Sequence, residues 1–413
     1  MAVTDKEAQA DVPAVVARFI EYLRIKTVQP APDYATCREY LRRQADELEL
    51  GFQAYEYVAG KPVVVLTWLG TEPELPSIIL NSHTDVVPVF EEFWTHPPFE
   101  AARVPTADGK DYRIIARGAQ DMKIVGHCYL EAIRAMRQRG ERVRRTVHAV
   151  FVPDEEIGGH DGMELFVKSP EFAALNAGFA LDEGMASTGA GLRVFYAERA
   201  PCWVRFVAHG QTGHGSQFIE NTAAEKLVPV IDRMMEFRRE QLAEFRTPNA
   251  DGSAKTLGDV TTANLTMLCS GVQHNVVPER ATASFDIRMT PSIDYHAFRR
   301  WVEEVAAEHG AQAEMVQFWD DNSTTSTDAS NPFWPAFEGA VAAQGIAIER
   351  EIFPAATDSR YLRRAGIPAL GVTPLRNTPI LLHDHNEYVL QSDVLAGVEF
   401  YARVVAAVAN VGC

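Results

Sequence analysis

Residues 147–152, Val-His-Ala-Val-Phe-Val, form a short, largely apolar run rich in β-branched residues, and it reads as a strand buried on both faces. Pro153 ends its ladder because proline has no N–H to donate. Three carboxylates follow at once, Asp154, Glu155 and Glu156, and then Gly158 and Gly159 let the chain turn. Adjacent acids repel, so three in a row at the end of a buried strand need a cation or full solvation. Two further strand-like runs end in the same way. Residues 77–81 deliver Ser82-His83-Thr84-Asp85, and residues 177–181 deliver Asp182-Glu183-Gly184. A His-x-Asp pair has its own logic, since an imidazole that binds metal through one nitrogen usually donates its other N–H to a carboxylate. Asp121 sits where a strand at 112–116 hands over to a helix, a position at which an N-cap is the competing role. A late cluster, Leu382-His383-Asp384-His385-Asn386-Glu387, is the second cluster to contain histidine.

Convergence of His83, Asp121, Glu156, Glu183 and one of His383 or His385 would assemble two imidazoles and three carboxylates. Zinc accepts these donors. Two zinc ions a few Å apart can share a bridging carboxylate and a bridging water. Glu155, the surplus acid, is then free to act as general base. A mononuclear site would leave at least one acid buried and unpaired, which is costly. Hydrolysis of an unactivated acyl bond is the natural use of such a centre.

The elements that must position these residues come from a 413-residue chain with 46% hydrophobic content, enough for two or three domains. Its net charge of −17 and the lack of any basic run argue against nucleic acid and anionic membrane as partners. The five cysteines are scattered and odd in number, with no CxxC spacing, so neither a disulfide framework nor a thiolate zinc site is expected. No secretory leader and no stretch of membrane-spanning length is evident, which makes the cytosol the expected compartment.

Helical periodicity is expected behind an Asp11 cap with Pro13 in the first turn, and again over 35–50, with extended runs at 53–58 and 63–69. The strands that end in acids then alternate with helical segments, which is the pattern of an α/β domain. From about residue 199 the order changes to strand–helix–strand–strand–helix–strand, at 202–209, 222–245, 261–268, 281–289, 293–309 and 313–318. That order describes a small α+β unit with helices on one face of an antiparallel sheet. A kink is expected in its long helix at Pro229. The α/β style resumes after residue 320. Residues 1–198 and 320–413 are therefore assigned to one domain, and 199–319 to a second inserted into it.

The chain resembles a family of dinuclear zinc peptidases and acylases that includes glutamate carboxypeptidase and succinyl-diaminopimelate desuccinylase. The resemblance rests on Ser82-His83-Thr84-Asp85-Val86-Val87-Pro88, Ala116-Arg117-Gly118-Ala119-Gln120-Asp121-Met122-Lys123, Val152-Pro153-Asp154-Glu155-Glu156-Ile157-Gly158-Gly159, Leu181-Asp182-Glu183-Gly184, Thr212-Gly213-His214-Gly215-Ser216 and the 382–387 cluster, in family order. It implies an α/β, zinc-peptidase-like catalytic domain with a mixed, mostly parallel sheet. It also implies an inserted α+β, ferredoxin-like lid that mediates homodimerisation, and two Zn2+ per subunit. By the same resemblance His83 and Glu183 hold one zinc, Glu156 and His383 the other, and Asp121 bridges. The family pattern favours His383 over His385, because the ligand stands three residues before Asn/Asp-Glu. Asp85 would orient His83, and Glu155 would serve as base and later as acid to the leaving amine. His214 would polarise the scissile carbonyl in the other subunit's site, and Asn275 and Arg288 would contact substrate. The implied reaction is hydrolysis of a small-molecule N-acyl-L-amino acid to a carboxylate and a free L-amino acid. The alternatives are a dipeptidase or carboxypeptidase of the same architecture and a catalytically silent binding homologue. Departures from the pattern are Asn386, where aspartate is the commoner residue, the pair Gln273-His274, and Pro229.

Overall fold

The computed structural model describes residues 12–412. Asp11, expected as a helix cap, lies outside the described residues. The first helix, α1 (Ala14–Leu23), buries Val16, Phe19, Tyr22 and Leu23 at three- and four-residue spacing. In α2 (Tyr34–Glu47) the Asp33 side chain accepts the Thr36 N–H as an N-cap. This helix stops three residues before the expected Leu50, and Glu49 takes a left-handed φ of 50° to start the next strand. Then come β1 (Gly51–Val58), β2 (Lys61–Trp68), β3 (Ser77–His83), β4 (Ala102–Pro105), β5 (Tyr112–Ile115), α3 (Lys123–Gln138), β6 (Val147–Val152), the short α4 (Met163–Phe166) and α5 (Pro170–Ala174), β7 (Ala177–Asp182) and β8 (Leu192–Glu198).

The chain continues through β9 (Ala200–His209), β10 (Gly213–His214), α6 (Ala223–Phe245), β11 (Thr262–Ser270), β12 (Val276–Val277), β13 (Arg280–Met289), α7 (Tyr295–Glu308) and β14 (Gln312–Phe318). It closes with α8 (Phe333–Ala342), β15 (Ile348–Phe353), α9 (Ser359–Arg364), β16 (Ala369–Val372), β17 (Tyr388–Leu390) and α10 (Gln391–Ala409). Sequence reasoning had no signal for β4, β8 or β17. Two of these are only three or four residues long, and β8 carries Arg193 and Glu198 among its apolar residues. No described helix is long and apolar enough to cross a membrane.

The chain divides into two compact units. The first comprises the residues up to Phe195, Thr325–Arg350 and the residues from Thr357 on. It is built on a mixed sheet of order β1-β2-β6-β3-β7-β16-β8-β15. The central strands β6, β3, β7 and β16 run parallel, while β1 and β2 are antiparallel to their neighbours. Every residue of β3 and of β6 is buried, which is why both read as continuous apolar runs. The register pairs His83 with Val152 and Leu80 with Leu181. The three acid- or histidine-bearing strand ends therefore emerge side by side at the carboxyl edge, where open α/β sheets collect ligands. Gly126 lets α3 lie close behind them, since a Cβ there would sit 2.6 Å from Ser82 Oγ and 2.8 Å from the Phe151 ring.

The second unit comprises Tyr196–Thr324 and Glu351–Ala356. Its sheet has the order β11-β13-β9-β14, antiparallel throughout, with α6 and α7 supplying the rest of its core. Alternate residues Cys202, Val204 and Phe206 of β9 and Ala283, Phe285 and Ile287 of β13 pack with Leu227, Val230, Met234 and Val302 from the helices. The Thr222–Glu225 capping box starts α6, and the helix continues as one element through Pro229. The unit begins a few residues before the expected 199 and ends after 319, and it also takes in 351–356. Within the unit, the Arg199 N–H donates to Phe353 O at 3.0 Å and its guanidinium to Pro354 O at 2.9 and 2.6 Å, which fastens that short segment.

Candidate metal centre

His83 is the last residue of β3 and is buried. Its Nδ1 lies 2.9 Å from the main-chain carbonyl of Asp85, so the Nδ1–H donates there and Nε2 faces inward. The Asp85 carboxylate, expected to do this, is 3.7 Å away. It is engaged elsewhere, accepting the N–H of Glu155 at 3.1 Å, the N–H of Glu156 at 3.2 Å and Gln29 Nε2 at 2.9 Å. Asp85 thus orients the imidazole through its backbone and the acidic turn through its side chain.

Asp121 does not cap α3. Met122 occupies the cap position without a side-chain bond, and the Asp121–Met122 peptide is cis. The Asp121 carboxylate points into the centre, with Oδ1 3.2 Å from His83 Nε2 and Oδ2 3.2 Å from His383 Nε2. Glu156 Oε2 lies 3.1 Å from the same His383 nitrogen, and Glu183 Oε2 lies 3.7 Å from His83 Nε2. The nearest Glu155 oxygen is farther out, 4.0 Å from His83 Nε2. The ligand atoms of His83, Asp121 and Glu156 lie within 4.8 Å of one another, as do those of His83, Glu155 and Glu183.

Of the three consecutive acids, Asp154 faces away. It is buried in a left-handed conformation (φ 63°), where Tyr34 Oη donates to it at 2.6 Å, Gln29 Nε2 at 3.1 Å and Lys61 Nζ at 2.5 Å. That conformation, with Gly158 at φ 108° and Gly159 at φ 67°, curls the turn so that Glu155 and Glu156 look inward. Arg360 Nη2 and Tyr361 Oη hold the turn from outside by donating to Gly158 O at 2.7 and 2.6 Å. Asp182 is likewise turned away, onto Asn81 Nδ2 and Ser359 Oγ, so Glu183 is the inward member of its pair. His385 packs against the Phe93 and Phe90 rings at 5.0 and 6.4 Å, whereas His383, two residues earlier, reaches the acids from a left-handed φ of 61°.

Four carboxylates therefore face two imidazoles, and the electrostatics register the imbalance. Burial and then the charge of Glu183 push Glu155 well above the usual carboxylate range, and burial raises Glu183 against the pull of His83. Burial, reinforced by Asp121, lifts Glu156 to about 7. Donating to the Asp121 and Glu156 carboxylates raises His383 to about 10. Burial opposes charge on His83, yet Glu183 and Asp121 carry it well above its ordinary value. Burial also opposes charge on Asp121, but the two imidazoles hold its carboxyl below the usual range. The Glu156 Oε1 atom is buried and accepts no hydrogen bond. A crowd of nitrogen and oxygen donors with surplus negative charge and an orphaned buried carboxylate oxygen fits divalent cations.

The Peptidase family M20/M25/M40 matches residues 79–407, a span that contains the four carboxylates and two imidazoles. The chain belongs to that family. Aminoacylase-1 from Sus scrofa is 50% identical over 398 residues, covering 96% of this chain and 95% of the relative. Aminoacylase-1 from Dictyostelium discoideum is 41% identical over 404 residues, covering 96% and 97%. An M20 family metallo-carboxypeptidase from Sulfolobus solfataricus has a similar fold, with a TM-score of 0.74 at 18% identity over 96% of this chain and 100% of that one. So has a Bacillus subtilis protein described as a dinuclear metal binding peptidase of the M20 family, at a TM-score of 0.67 and 18% identity over 97% and 99%.

The other residues singled out by the M20 resemblance lie in the second unit. The β10–β12 ladder pairs His214 with Val276, and the Gly215 N–H donates to Asn275 O at 2.8 Å, so His214 and Asn275 sit side by side. His214 is exposed, with Nδ1 2.7 Å from Ser216 Oγ. The Asn275 Oδ1 accepts Gln273 Nε2 at 2.7 Å. Arg288, on β13, is paired with Asp286 at 2.9 and 3.3 Å. Sequence reasoning did not foresee the parts played by Gln29, Lys61, Arg360 or Glu387. Two of these left a signal: Arg360 in a small-residue loop, with no role assigned to it, and Glu387 as one of two acids among the late histidines.

Proposed function

We propose that the protein is an N-acyl-L-amino-acid amidohydrolase with two zinc ions per subunit. His83 and Glu183 would hold one ion and Glu156 and His383 the other, with the Asp121 carboxylate available to both. The observation that carries this reading is the Asp121 carboxylate, which offers one oxygen toward each histidine at equal distance. The full-length similarity to aminoacylase-1 supports the substrate class. Bound divalent cations supply Lewis acidity and lower the pKa of water in the site. Glu155 takes the proton from the attacking water and later delivers it to the leaving amine, producing a carboxylate and a free amino acid. Two N–H groups held by Asp85 keep the Glu155–Glu156 turn in place while this proton moves.

The second unit is the proposed lid and dimerisation domain. His214 would polarise the scissile carbonyl in the partner's site, as an oxyanion donor worth about 3–4 kcal/mol on the barrier. Asn275 and Arg288 would take the amino-acid carboxylate, Arg288 by exchanging Asp286 for the substrate. Homodimerisation is supported by β11, an edge strand that exposes Met267 and Leu268, and by the neighbouring exposed Val272 and Val276. The cytosol is the proposed compartment, supported by free thiols at Cys37, Cys128, Cys202 and Cys269.

Rates on a panel of N-acetyl amino acids, with N-acetyl-methionine compared against a dipeptide and metal content determined on the same sample, test the proposal. Preferred cleavage of the N-acetyl substrate with two zinc ions per chain is expected. Preference for the dipeptide would make the protein a peptidase of the same architecture.

A further inference from the structure

Glu387 is fully buried, and its carboxylate is fully subscribed. Oε1 accepts the backbone N–H of Gln120 at 2.5 Å and of Asp121 at 3.1 Å. Oε2 accepts the N–H of Gly118 at 3.0 Å and Arg117 Nη1 at 2.8 Å. One side chain thus receives four hydrogens from residues 117–121, including the N–H of Asp121 itself. The Glu387 main chain belongs to the segment that carries His383, four residues earlier.

Further bonds lock these two stretches together. The Ala116 N–H donates to Glu387 O at 3.0 Å, and Arg117 Nη1 donates to Asp384 O at 3.1 Å. Gln120 Nε2 donates to Pro379 O and Tyr388 O at 3.0 and 2.9 Å, and Gln120 Oε1 accepts the Leu381 N–H at 3.0 Å. The backbones that carry Asp121 and His383 come from opposite ends of the first unit's sequence, and these contacts splice them.

We propose that Glu387 is a positioning residue that sets the separation of Asp121 and His383 and thereby the affinity of the second metal ion. The proposal rests on the dinuclear reading above. The chemistry of the contacts explains why the residue is an acid. Each carboxylate oxygen already serves two donors, so in glutamine the amide nitrogen would face two N–H groups whichever way it turned. The charge and both oxygens are needed, and an amide of equal size cannot supply them. The His83–Glu183 side does not touch Glu387, so the effect falls on the His383–Glu156 side and on the bridging carboxylate.

Chelator-competition titration of metal-free protein with zinc separates the two sites. Wild type is expected to bind two ions. Glu387→Gln should keep the first within about tenfold and weaken the second on the order of 10–100-fold, the range for outer partners of metal ligands. Cobalt substitution should show the matching change in its visible bands. Should the glutamine variant not fold, Glu387→Asp carries the test, with second-site affinity between wild type and that loss. Phe337→Leu, buried in α8, provides a variant of lowered melting temperature that should keep both sites. Two wild-type affinities in Glu387→Gln or Glu387→Asp, or equal loss in Phe337→Leu, would overturn the brace. A wild type that binds fewer than two ions would overturn the dinuclear reading, and the brace with it.

Discussion

The Nδ1 of His83 lies 2.9 Å from the main-chain carbonyl of Asp85, while the nearest oxygen of the Asp85 carboxylate is 3.7 Å away. The imidazole is thus oriented by an atom that no side-chain substitution removes, and the carboxylate is free to hold the next loop. Asp85→Asn should therefore leave zinc content at the wild-type level. Its amide nitrogen would face either the Glu155 or the Glu156 N–H, so that turn should shift, and kcat should fall on the order of 100-fold, as expected for displacement near 1 Å. Steady-state kinetics with metal analysis checks both, and zinc loss as the main effect would refute the division of labour.

Glu155 has the role most open to a single substitution. Its nearest oxygen stands 4.0 Å from His83 Nε2, outside the closer set made by Asp121 and Glu183. Glu155→Gln keeps the shape and removes the ability to take a proton. Turnover should drop by about 10²–10⁴-fold with two zinc ions retained. Surviving turnover would remove Glu155 as the base.

Acid should weaken the first unit through two histidines outside the metal centre. Burial lowers His127 to about 4, and burial lowers His148 to about 4 as well. In the unfolded chain both take up a proton near pH 6.5. The unfolded state therefore binds more protons below that pH, so the stability these groups confer is present above about 6.5 and is lost as pH falls toward 4. Each contributes a slope of about 1.4 kcal/mol per pH unit in that window. Urea unfolding at pH 7.5, 6 and 5 should show the loss, and His127→Leu should remove the His127 share of it and leave that of His148.

Met267 and Leu268 are exposed on the edge strand β11, 56% and 61% accessible, so replacing both with lysine leaves the core of the second unit untouched. If the proposed dimer forms through this edge, sedimentation should show a dimer for the wild type and a folded monomer with its metal retained for the double variant. Activity should fall with it, because His214 is proposed to act in the partner's site. A fully active monomer would contradict that assignment.

Much of this protein was legible along the chain because strand and helix periodicity is local. The buried runs that end at His83, Glu155–Glu156 and Glu183, the switch to a strand–helix–strand–strand–helix–strand plan, and the donor types all follow from adjacent residues. The composition of a cluster can be read this way, but its wiring depends on which distant group supplies each hydrogen bond. Asp154 turns outward because Tyr34 and Lys61 are there to receive it. His385 turns onto Phe90 and Phe93, and His383 is the one that meets Asp121 and Glu156. The roles of Asp85 and Glu387 are set by backbone N–H groups of loops about 70 and 270 residues away, and a backbone N–H carries no residue identity that a sequence could display. The residues of the site were thus a property of the sequence. Tertiary structure alone decided how each is held, since the register between remote segments selects the partner.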